Sequence, residues 1–480
     1  MRPREIRGVK PPRTDRGRLL LLLAFAALVT VFTATVPLLR DWFDLRVYHG
    51  TVNSWIHDGG RVYDYRVPGT RYGFTYPPFA AVVMLPMAWV GLRTAIVTAL
   101  LLNLAALAFV ARVCVGPRWR RYGWYGAGLA ASALALFEPL RDTLSFGQVN
   151  LLLLALVLAD AGPLASGRTR WAGVGIGLAA AVKLTPALFV GLLLVAGRRR
   201  AAVVATTVAA AATALAALVA PDASRFYWTR ALWDTTRVGR LDYVSNQSLQ
   251  GVLARLGVES RAVWAVLVLA ALGRWAWRAR RAAAAGDWPA AFALTGLAAC
   301  LVSPVTWVHH LVWLLPSFAV LIRAGRPRVA GALYAVLCTS VVWLWFDDAS
   351  GVDGFLGSNV YTWITLGLLV WLPVGHPPDG RRPASRSTSA TAAPPSAVAP
   401  AISAASGQPG GSAAGTAAAA VVPAGGEAAA EAEGSTGPAS GPGPGTGRGR
   451  GRARSASSEP TGSTRPAAAN PQSSNARASS

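Results

Sequence analysis

The stretch LLLLLAFAALVTVFTATVPL occupies residues 19–38 and contains no charged side chain. A helix of 20 residues is about 30 Å long, which matches the hydrocarbon core of a bilayer. Seven basic residues lie within positions 1–18, and no small-residue cleavage site follows the apolar run. The run therefore predicts a retained first transmembrane helix after a basic N-terminus, and not a cleaved signal peptide.

The rest of the chain has the composition of a membrane protein. Of its 480 residues, 53% are hydrophobic, 14% are charged and 18 are tryptophan. Apolar runs of spanning or near-spanning length recur near 76–90, 93–111, 124–139, 149–164, 172–197, 201–220, 261–279, 290–303, 308–322, 329–346 and 359–374. This pattern predicts an all-α polytopic membrane protein with about ten full spans plus short re-entrant helices.

The net charge of +24 is distributed in a way that argues against nucleic-acid binding. The arginines lie in short connections between apolar runs, a placement that orients helices in a bilayer and forms no groove along a phosphate backbone. Cys114, Cys300 and Cys338 form no CxxC pair and have no metal-ligand spacing, so they are predicted to be small core residues. The predicted partner is the membrane, with no nucleic acid.

Arginine also predicts which side of the membrane each connection faces. Five connections contain arginine and no acid: 112–121, 168–170, 198–200, 274–281 and 323–328. If all five are cytoplasmic like the N-terminus, the short runs 76–90 and 172–197 must each enter the membrane and return to the side they came from. The loop 39–75 and every polar motif then lie outside the plasma membrane, away from nucleotide sugars and ATP. Since the chain has no GxxxxGK[ST] loop and no GxGxxG strand–helix unit, an outward-facing enzyme needs an activated donor carried in the membrane.

The composition changes near residue 376. From there to residue 480 the chain consists mainly of Ala, Gly, Pro, Ser and Thr, with almost no large apolar residue. Such a segment cannot bury enough apolar surface to offset the entropy of ordering, so a disordered cytoplasmic tail is predicted. The predicted organisation is thus a basic cytoplasmic N-terminus (1–18), a membrane domain (19–375) and the tail (376–480).

The segment DLRVY at 44–48 provides the first candidate site residues. Asp44 is an acid held near lipid in a chain with few charges, and such an acid indicates a functional site. The alternative is a solvated loop carboxylate. Tyr48 closes this segment, and Tyr76 lies in a second polar cluster, TYPP at 75–78.

Lys183 and a histidine pair are the candidate cationic groups. Lys183 lies inside the run 172–197, where a buried ammonium needs an anion such as a lipid phosphate or Asp44; the alternative is a side chain that snorkels to the interface. His309 and His310 point about 100° apart if they are helical, so both cannot easily bind one metal. One of them is expected to face the site as a hydrogen-bond or phosphate partner, and the alternative is a purely structural pair.

Four amides complete the candidate set. They are Gln148, Asn150, Asn246 and Gln247. Their amide groups suit sugar hydroxyls, although amides also hold transmembrane helices together.

Six motifs carry a resemblance to a known family. They are DLRVY (44–48), FTYPPFAA (74–81), SFGQVNLLLL (145–154), AAAVKLTPALF (179–189), NQSLQGVLAR (246–255) and SPVTWVHHLVWLLP (303–316). Taken in order, they make residues 19–374 similar to the actinobacterial polyprenol-phosphate-mannose-dependent α-1,2-mannosyltransferases, which act in phosphatidylinositol mannoside and lipoarabinomannan assembly. The tail is no part of that family pattern.

The resemblance implies a GT-C fold for residues 19–375, with the active site on the outer membrane face. It implies that Asp44 is the catalytic acid by its position in the DLxVY motif, and that His309 or His310 is the site histidine. The implied donor is polyprenyl-phosphate mannose, and the implied acceptor is a glycolipid or lipoglycan whose identity varies within the family.

This reading predicts a single displacement. Asp44 would take the proton of the acceptor hydroxyl, and Lys183 or a histidine would neutralise charge on the leaving phosphate, so a β-linked donor gives an α-1,2 product. No cofactor is predicted. No divalent metal is expected either, because no adjacent pair of acids lies near Asp44; Asp41, three residues away, is the one acid that could contribute to a metal site there. The alternative function is a transporter or flippase for a polyprenyl-linked sugar.

Overall fold

A computed structural model describes residues 14–35, 41–116, 119–167 and 170–375, and these residues are helical with no β-strand among them. The α-helices are α1 (Asp15–Thr35), α2 (Phe43–His57), α3 (Pro78–Met84), α4 (Leu92–Val115), α5 (Trp119–Leu136), α6 (Glu138–Phe146), α7 (Asn150–Ala159), α8 (Ala161–Ala165), α9 (Val174–Val182), α10 (Leu188–Val195), α11 (Arg199–Val219), α12 (Pro221–Thr229), α13 (Leu249–Arg255), α14 (Arg261–Ala284), α15 (Trp288–Val302), α16 (Leu315–Arg323), α17 (Pro327–Cys338), α18 (Gly351–Gly357) and α19 (Val360–Trp371). Short 3-10 helices cover Leu85–Trp89, Thr185–Ala187, Ala231–Trp233, Thr235–Arg237, Val308–Leu314 and Val341–Trp345. The all-α prediction is confirmed for the described residues.

The predicted count of ten full spans is not confirmed. Four helices in the described ranges are long and apolar enough to cross a bilayer, namely α1, α4, α11 and α14, and α6 with α7–α8 gives a fifth candidate that is bent by 111°. Several apolar runs form helices that are shorter than a span: α15 has 15 residues, and α17 and α19 have 12 each. At 1.5 Å per residue these helices are about 18–23 Å long, below the 30 Å core. The chain is a multi-pass membrane protein.

Helix α15 forms the centre of the packed helices. Every residue from Ala290 to Leu301 is buried, and α10, α14, α16 and α19 pack around the helix. Its many alanines and Gly296 allow neighbouring backbones to approach closely, as is usual in membrane helix packing. This core supports the 3-10 helix Val308–Leu314, which carries the histidine pair.

The start of α2 packs against the break between α6 and α7. Gly147 has a φ of 70°, a left-handed conformation that favours glycine, and a Cβ built there would lie 2.6 Å from Cβ of Leu45. The Trp42 backbone N–H donates to the carbonyl of Ser145 at 2.9 Å. Trp42 itself has a φ of 54°, so the turn into α2 has a backbone conformation that residues other than glycine rarely adopt. These contacts place Asp44 directly against the break.

Of the two predicted re-entrant runs, only 172–197 is interrupted, while 76–90 is one short helix that changes type at Leu85. Run 76–90 forms α3 and the 3-10 helix Leu85–Trp89, while run 172–197 is broken between α9 and α10 at Lys183, whose φ of −148° and ψ of 134° are extended. Pro186 follows in the 3-10 turn and removes one helical donor. Whether either run returns to its starting side stays a prediction.

The predicted division of the chain into N-terminus, membrane domain and tail also stays a prediction. Residues 1–13 and the tail 376–480 lie outside the described residues.

Candidate functional site

Asp44 lies in the first turn of α2, a helix that is not among the membrane-spanning candidates. It is half-buried, and its Oδ2 accepts a hydrogen bond of 2.6 Å from Nε2 of Gln148. Its other oxygen, Oδ1, has no hydrogen-bond partner among the described residues. Burial raises the pKa of Asp44 to about 6, against the opposing effects of the Gln148 hydrogen bond and the charge of Lys183. A carboxyl with such a pKa is a base near neutral pH.

Two tyrosines extend this contact. The Tyr48 hydroxyl donates to the Tyr76 hydroxyl at 3.0 Å, and the Tyr76 hydroxyl donates to Oε1 of Gln148 at 2.8 Å. All three side chains are buried. The backbone of Tyr76 is held in place by Tyr63, whose hydroxyl donates to the Tyr76 carbonyl at 2.7 Å. The structure thus brings the predicted Tyr48, Tyr76 and Gln148 to Asp44.

Lys183 reaches the same cluster from the break after α9. Its ammonium donates to Oδ1 of Asn150 at 3.0 Å and to the Tyr76 hydroxyl at 3.3 Å, and it lies 4.9 Å from the centre of the Tyr76 ring. Nζ is also 2.8 Å from Nε2 of His310. The extended backbone at Lys183 is what directs this side chain sideways into the cluster, because a continuous helix would carry it along the helix surface.

His310 is the histidine that faces Lys183. The backbone N–H of Trp307 donates to Nδ1 of His310 at 3.1 Å, so a neutral ring carries its proton on Nε2. That N–H then points at Nζ of Lys183, and two donors face each other when the lysine is charged. An anion bound beside this pair would accept from both groups.

His309 is oriented differently. It is buried, and its ring lies edge-on to Phe146 with the ring centres 5.2 Å apart. Its backbone carbonyl accepts from Thr143 Oγ1 at 3.0 Å and from Asn150 Nδ2 at 3.3 Å. His309 therefore fixes the site's framework through its backbone, and Asn150 is held between this carbonyl and Lys183.

Asn246 and Gln247 are not part of the cluster around Asp44. Both are fully buried, and their amides hold loops together. Asn246 donates to the Leu241 and Pro304 carbonyls and accepts from the Thr306 N–H. Gln247 donates to the Val244 and Ser358 carbonyls and accepts from Thr362. A sugar-binding role for these two amides stays a prediction, and the observed bonds give them a structural one.

A small cavity opens beside Lys183. It has about 260 Å³ of empty space including its mouth, and its lining includes Asn150, Lys183, Cys300, Thr306 and His310. The enclosed part has room for only about 10 Å³, close to one water molecule, so a phosphate or a sugar enters only if the lining side chains move apart. Among the described residues no three His, Cys, Asp or Glu side chains are close enough to hold a metal ion. Metal independence stays a prediction.

Sequence reasoning missed Asn103, a site neighbour on α4. It is buried, and its side-chain amide donates to the Gln148 backbone carbonyl at 3.2 Å and to the Ala99 carbonyl at 2.9 Å. Its signal was present, because an amide inside the apolar run 93–111 is a polar residue at membrane depth. Asn103 fixes the backbone that presents Gln148.

Comparison with known proteins gives this site its context. A profile of glycosyltransferase family 87 matches residues 74–304. A protein of Mycolicibacterium smegmatis described as a polyprenol-phosphate-mannose-dependent α-(1-2)-phosphatidylinositol mannoside mannosyltransferase is 32% identical over 370 residues, which cover 70% of this chain and 83% of the relative. The chain belongs to glycosyltransferase family 87. It is a membrane glycosyltransferase, so the predicted family and enzyme class are confirmed.

Other relatives of this family 87 enzyme have related descriptions. A Mycobacterium tuberculosis protein with the same description as the first relative is 34% identical over 320 residues, covering 62% of this chain and 74% of the relative. A second M. tuberculosis protein, described as a phosphatidylinositol pentamannoside mannosyltransferase, is 32% identical over 335 residues, covering 67% and 76%. No solved structure matches the chain.

The family profile covers only part of the cluster. The matched range contains Tyr76, Gln148, Asn150, Lys183, Asn246 and Gln247, and it excludes Asp44, Tyr48, His309 and His310. The roles of these residues therefore rest on the geometry described above.

Proposed function

We propose that this family 87 enzyme transfers mannose from polyprenyl-phosphate mannose to a glycolipid or lipoglycan acceptor of the phosphatidylinositol mannoside type, forming an α-1,2 linkage. The descriptions of its relatives support the donor and the acceptor class. The observation that carries the proposal is a carboxylate of raised pKa, Asp44, joined by two side chains to the cationic cavity at Lys183 and His310. A base and an anion site within one cluster are what a displacement at a sugar phosphate requires.

The acceptor reacts at Asp44 in this proposal. Oδ1 of Asp44 takes the proton of the acceptor hydroxyl while the hydroxyl oxygen forms a bond to the anomeric carbon. The bond from the anomeric carbon to the phosphate oxygen breaks, and the polyprenyl phosphate leaves with the electron pair. One displacement of a β-linked mannose inverts the centre and gives the α-linked product.

The leaving phosphate binds beside Lys183 in this proposal, and the side chains that line the small cavity move apart to admit it. It gains negative charge as the bond breaks, and the Lys183 ammonium and the His310 Nε2–H are adjacent donors that can both bind it. Donors positioned before the reaction stabilise developing charge with little reorganisation. The donor lipid itself carries the activation, so neither a nucleotide nor a cofactor enters the reaction.

The site is proposed to face outward from the plasma membrane, with both termini in the cytoplasm. The arginine-rich connections support this orientation, because positively charged loops are retained on the cytoplasmic side. The acceptor and the product would then belong to the cell envelope. A transport function has no support from the relatives, all of which are described as transferases.

Asp44→Asn tests the proposal. The variant keeps the shape of the side chain and removes the base, so transfer of radiolabelled mannose from polyprenyl-phosphate mannose should fall by about 10²- to 10⁴-fold in membranes with equal enzyme content. Asp58→Asn, at the exposed end of the same helix, is the matched control and should retain activity. Wild-type turnover in Asp44→Asn, or a product resistant to an α-1,2-specific mannosidase, would contradict the proposal.

A further inference from the structure

The side-chain amide of Gln148 has one orientation, and Lys183 determines this orientation through Tyr76. Nζ of Lys183 donates to the Tyr76 oxygen, which also accepts from the Tyr48 hydroxyl. The single Tyr76 hydroxyl proton is then left for Gln148, whose oxygen end must face Tyr76. The nitrogen end consequently faces Asp44, which is the only orientation that a carboxylate accepts without repulsion.

This arrangement leaves the Gln148 amide little access to a sugar in the closed cluster. Gln148 is only 4% exposed, its oxygen accepts from the Tyr76 hydroxyl, and one of its two N–H groups donates to Oδ2 of Asp44. Its backbone is fixed as well, since Asn103 binds the Gln148 carbonyl and the Gln148 N–H donates to the Thr143 carbonyl at 2.9 Å. A residue held at four points next to a catalytic base acts on that base.

We propose that Gln148 is a positioning residue for Asp44: its amide holds Oδ2, leaves Oδ1 for the acceptor hydroxyl, and has its direction set by Lys183 through Tyr76. The inference rests on the proposed role of Asp44 as the base. It replaces the sugar contact expected for Gln148 from the sequence with a contact to the carboxylate. It also joins the two halves of the site, because the cation beside the leaving group determines how the amide beside the base is oriented.

The hydrogen bond from Gln148 has a measurable consequence for proton transfer. It stabilises the ionised carboxylate and so opposes the rise in the pKa of Asp44 that burial causes. The titratable groups that face Asp44 are Tyr48 on its own helix, Tyr76 before α3 and Lys183 after α9. Removing the amide therefore raises the pKa of the base, and the acid limb of the rate profile moves to higher pH because the ionised form is the competent one.

The test is the pH dependence of kcat/KM in the full-length enzyme, with polyprenyl-phosphate mannose as the donor. Gln148→Met should move the acid limb upward by about one pH unit or more, since a hydrogen bond to a charged group is lost. Its kcat should fall more than its KM for either substrate rises. Gln250→Met, the same substitution on α13, should leave the limb at its wild-type position. An unmoved limb in Gln148→Met, together with a raised KM for donor or acceptor, would identify a sugar contact and overturn the inference.

Two further variants keep the test decisive. Gln148→Glu preserves the shape of the side chain if Gln148→Met does not fold, and two carboxyls this close share a proton, so its acid limb should also move upward; an unmoved limb here counts equally against the inference. Asp44→Asn separates this inference from the proposed function. If Asp44→Asn is active, Asp44 is not the base, and the proposed function fails together with this inference. If Asp44→Asn is inactive and the acid limb is unmoved in the Gln148 variants, only the positioning role is overturned.

Discussion

Replacing Lys183 by glutamine tests the proposed phosphate contact. The substitution removes the ammonium that lies 2.8 Å from His310 Nε2, 3.0 Å from Asn150 Oδ1 and 3.3 Å from the Tyr76 hydroxyl. Glutamine keeps part of the length and a donor group, so the cavity beside it is changed mainly in charge. The expected effect is a loss of attraction for the donor phosphate.

The magnitude follows from the burial of the site. Truncating one partner of a buried, hydrogen-bonded charge pair usually costs about 2–5 kcal/mol. This range corresponds to a loss of about 30- to 5,000-fold in kcat/KM for the lipid donor. The acceptor KM should change much less, because in the proposed mechanism the acceptor hydroxyl reacts at Asp44. Lys183→Arg should restore only part of the activity, since a planar guanidinium needs a different approach to the phosphate.

The assay is initial-rate transfer in detergent or membranes with donor and acceptor varied separately. The chain offers a matched control, because its only other lysine is Lys10, in the N-terminal segment outside the described residues, and Lys10→Gln is the same chemical change. Unchanged donor kinetics in a well-folded Lys183→Gln, with only a lower protein yield, would refute the reasoning. Lys183 would then be a structural residue, and the phosphate contact would belong to the histidines.

Two more predictions concern the framework and the orientation of the site. Gly147→Ala should lower the melting temperature and the activity more than Gly197→Ala does, because both glycines have a φ near 70° but only a side chain at residue 147 would meet Leu45; equal effects in the two variants would argue against the seat of α2 on the break. In a cysteine-free background, a membrane-impermeant thiol reagent should label cysteines placed at Gly59 and Asp242 in intact cells. Cysteines at Arg199 and Arg326 should be labelled only after permeabilisation, and their labelling in intact cells would contradict the outward-facing site.

The sequence alone determined the helical class and the chemistry of the candidate groups. Apolar runs without charge have one stable form in lipid, because every backbone donor and acceptor must be satisfied within the segment. For the same reason Lys183 is conspicuous inside such a run, and Asp44 is conspicuous as an acid held near lipid in a chain with few charges. The order of short motifs was enough to identify the family.

Only the tertiary structure decided which groups meet. In the sequence the amides of Gln148, Asn150, Asn246 and Gln247 are equivalent candidates, whereas in the fold the first two join Asp44 and Lys183 and the last two hold loops. The difference arises because side-chain direction depends on where helices break, and the breaks at Gly147 and Lys183 turn neighbouring side chains toward one point.

The histidine pair shows the same limit. His309 and His310 are adjacent and chemically identical, so the sequence left open which of them faces the site. The choice is made by the backbone N–H of Trp307, which binds Nδ1 of His310 and directs Nε2 toward Lys183, while the ring of His309 packs against Phe146. Helix lengths were likewise decided by packing, since a run such as 290–303 is apolar enough to enter a membrane but forms a 15-residue helix surrounded by its neighbours. Composition fixes what a segment tolerates, and long-range contacts, which have no signal in a single sequence, fix where its side chains point.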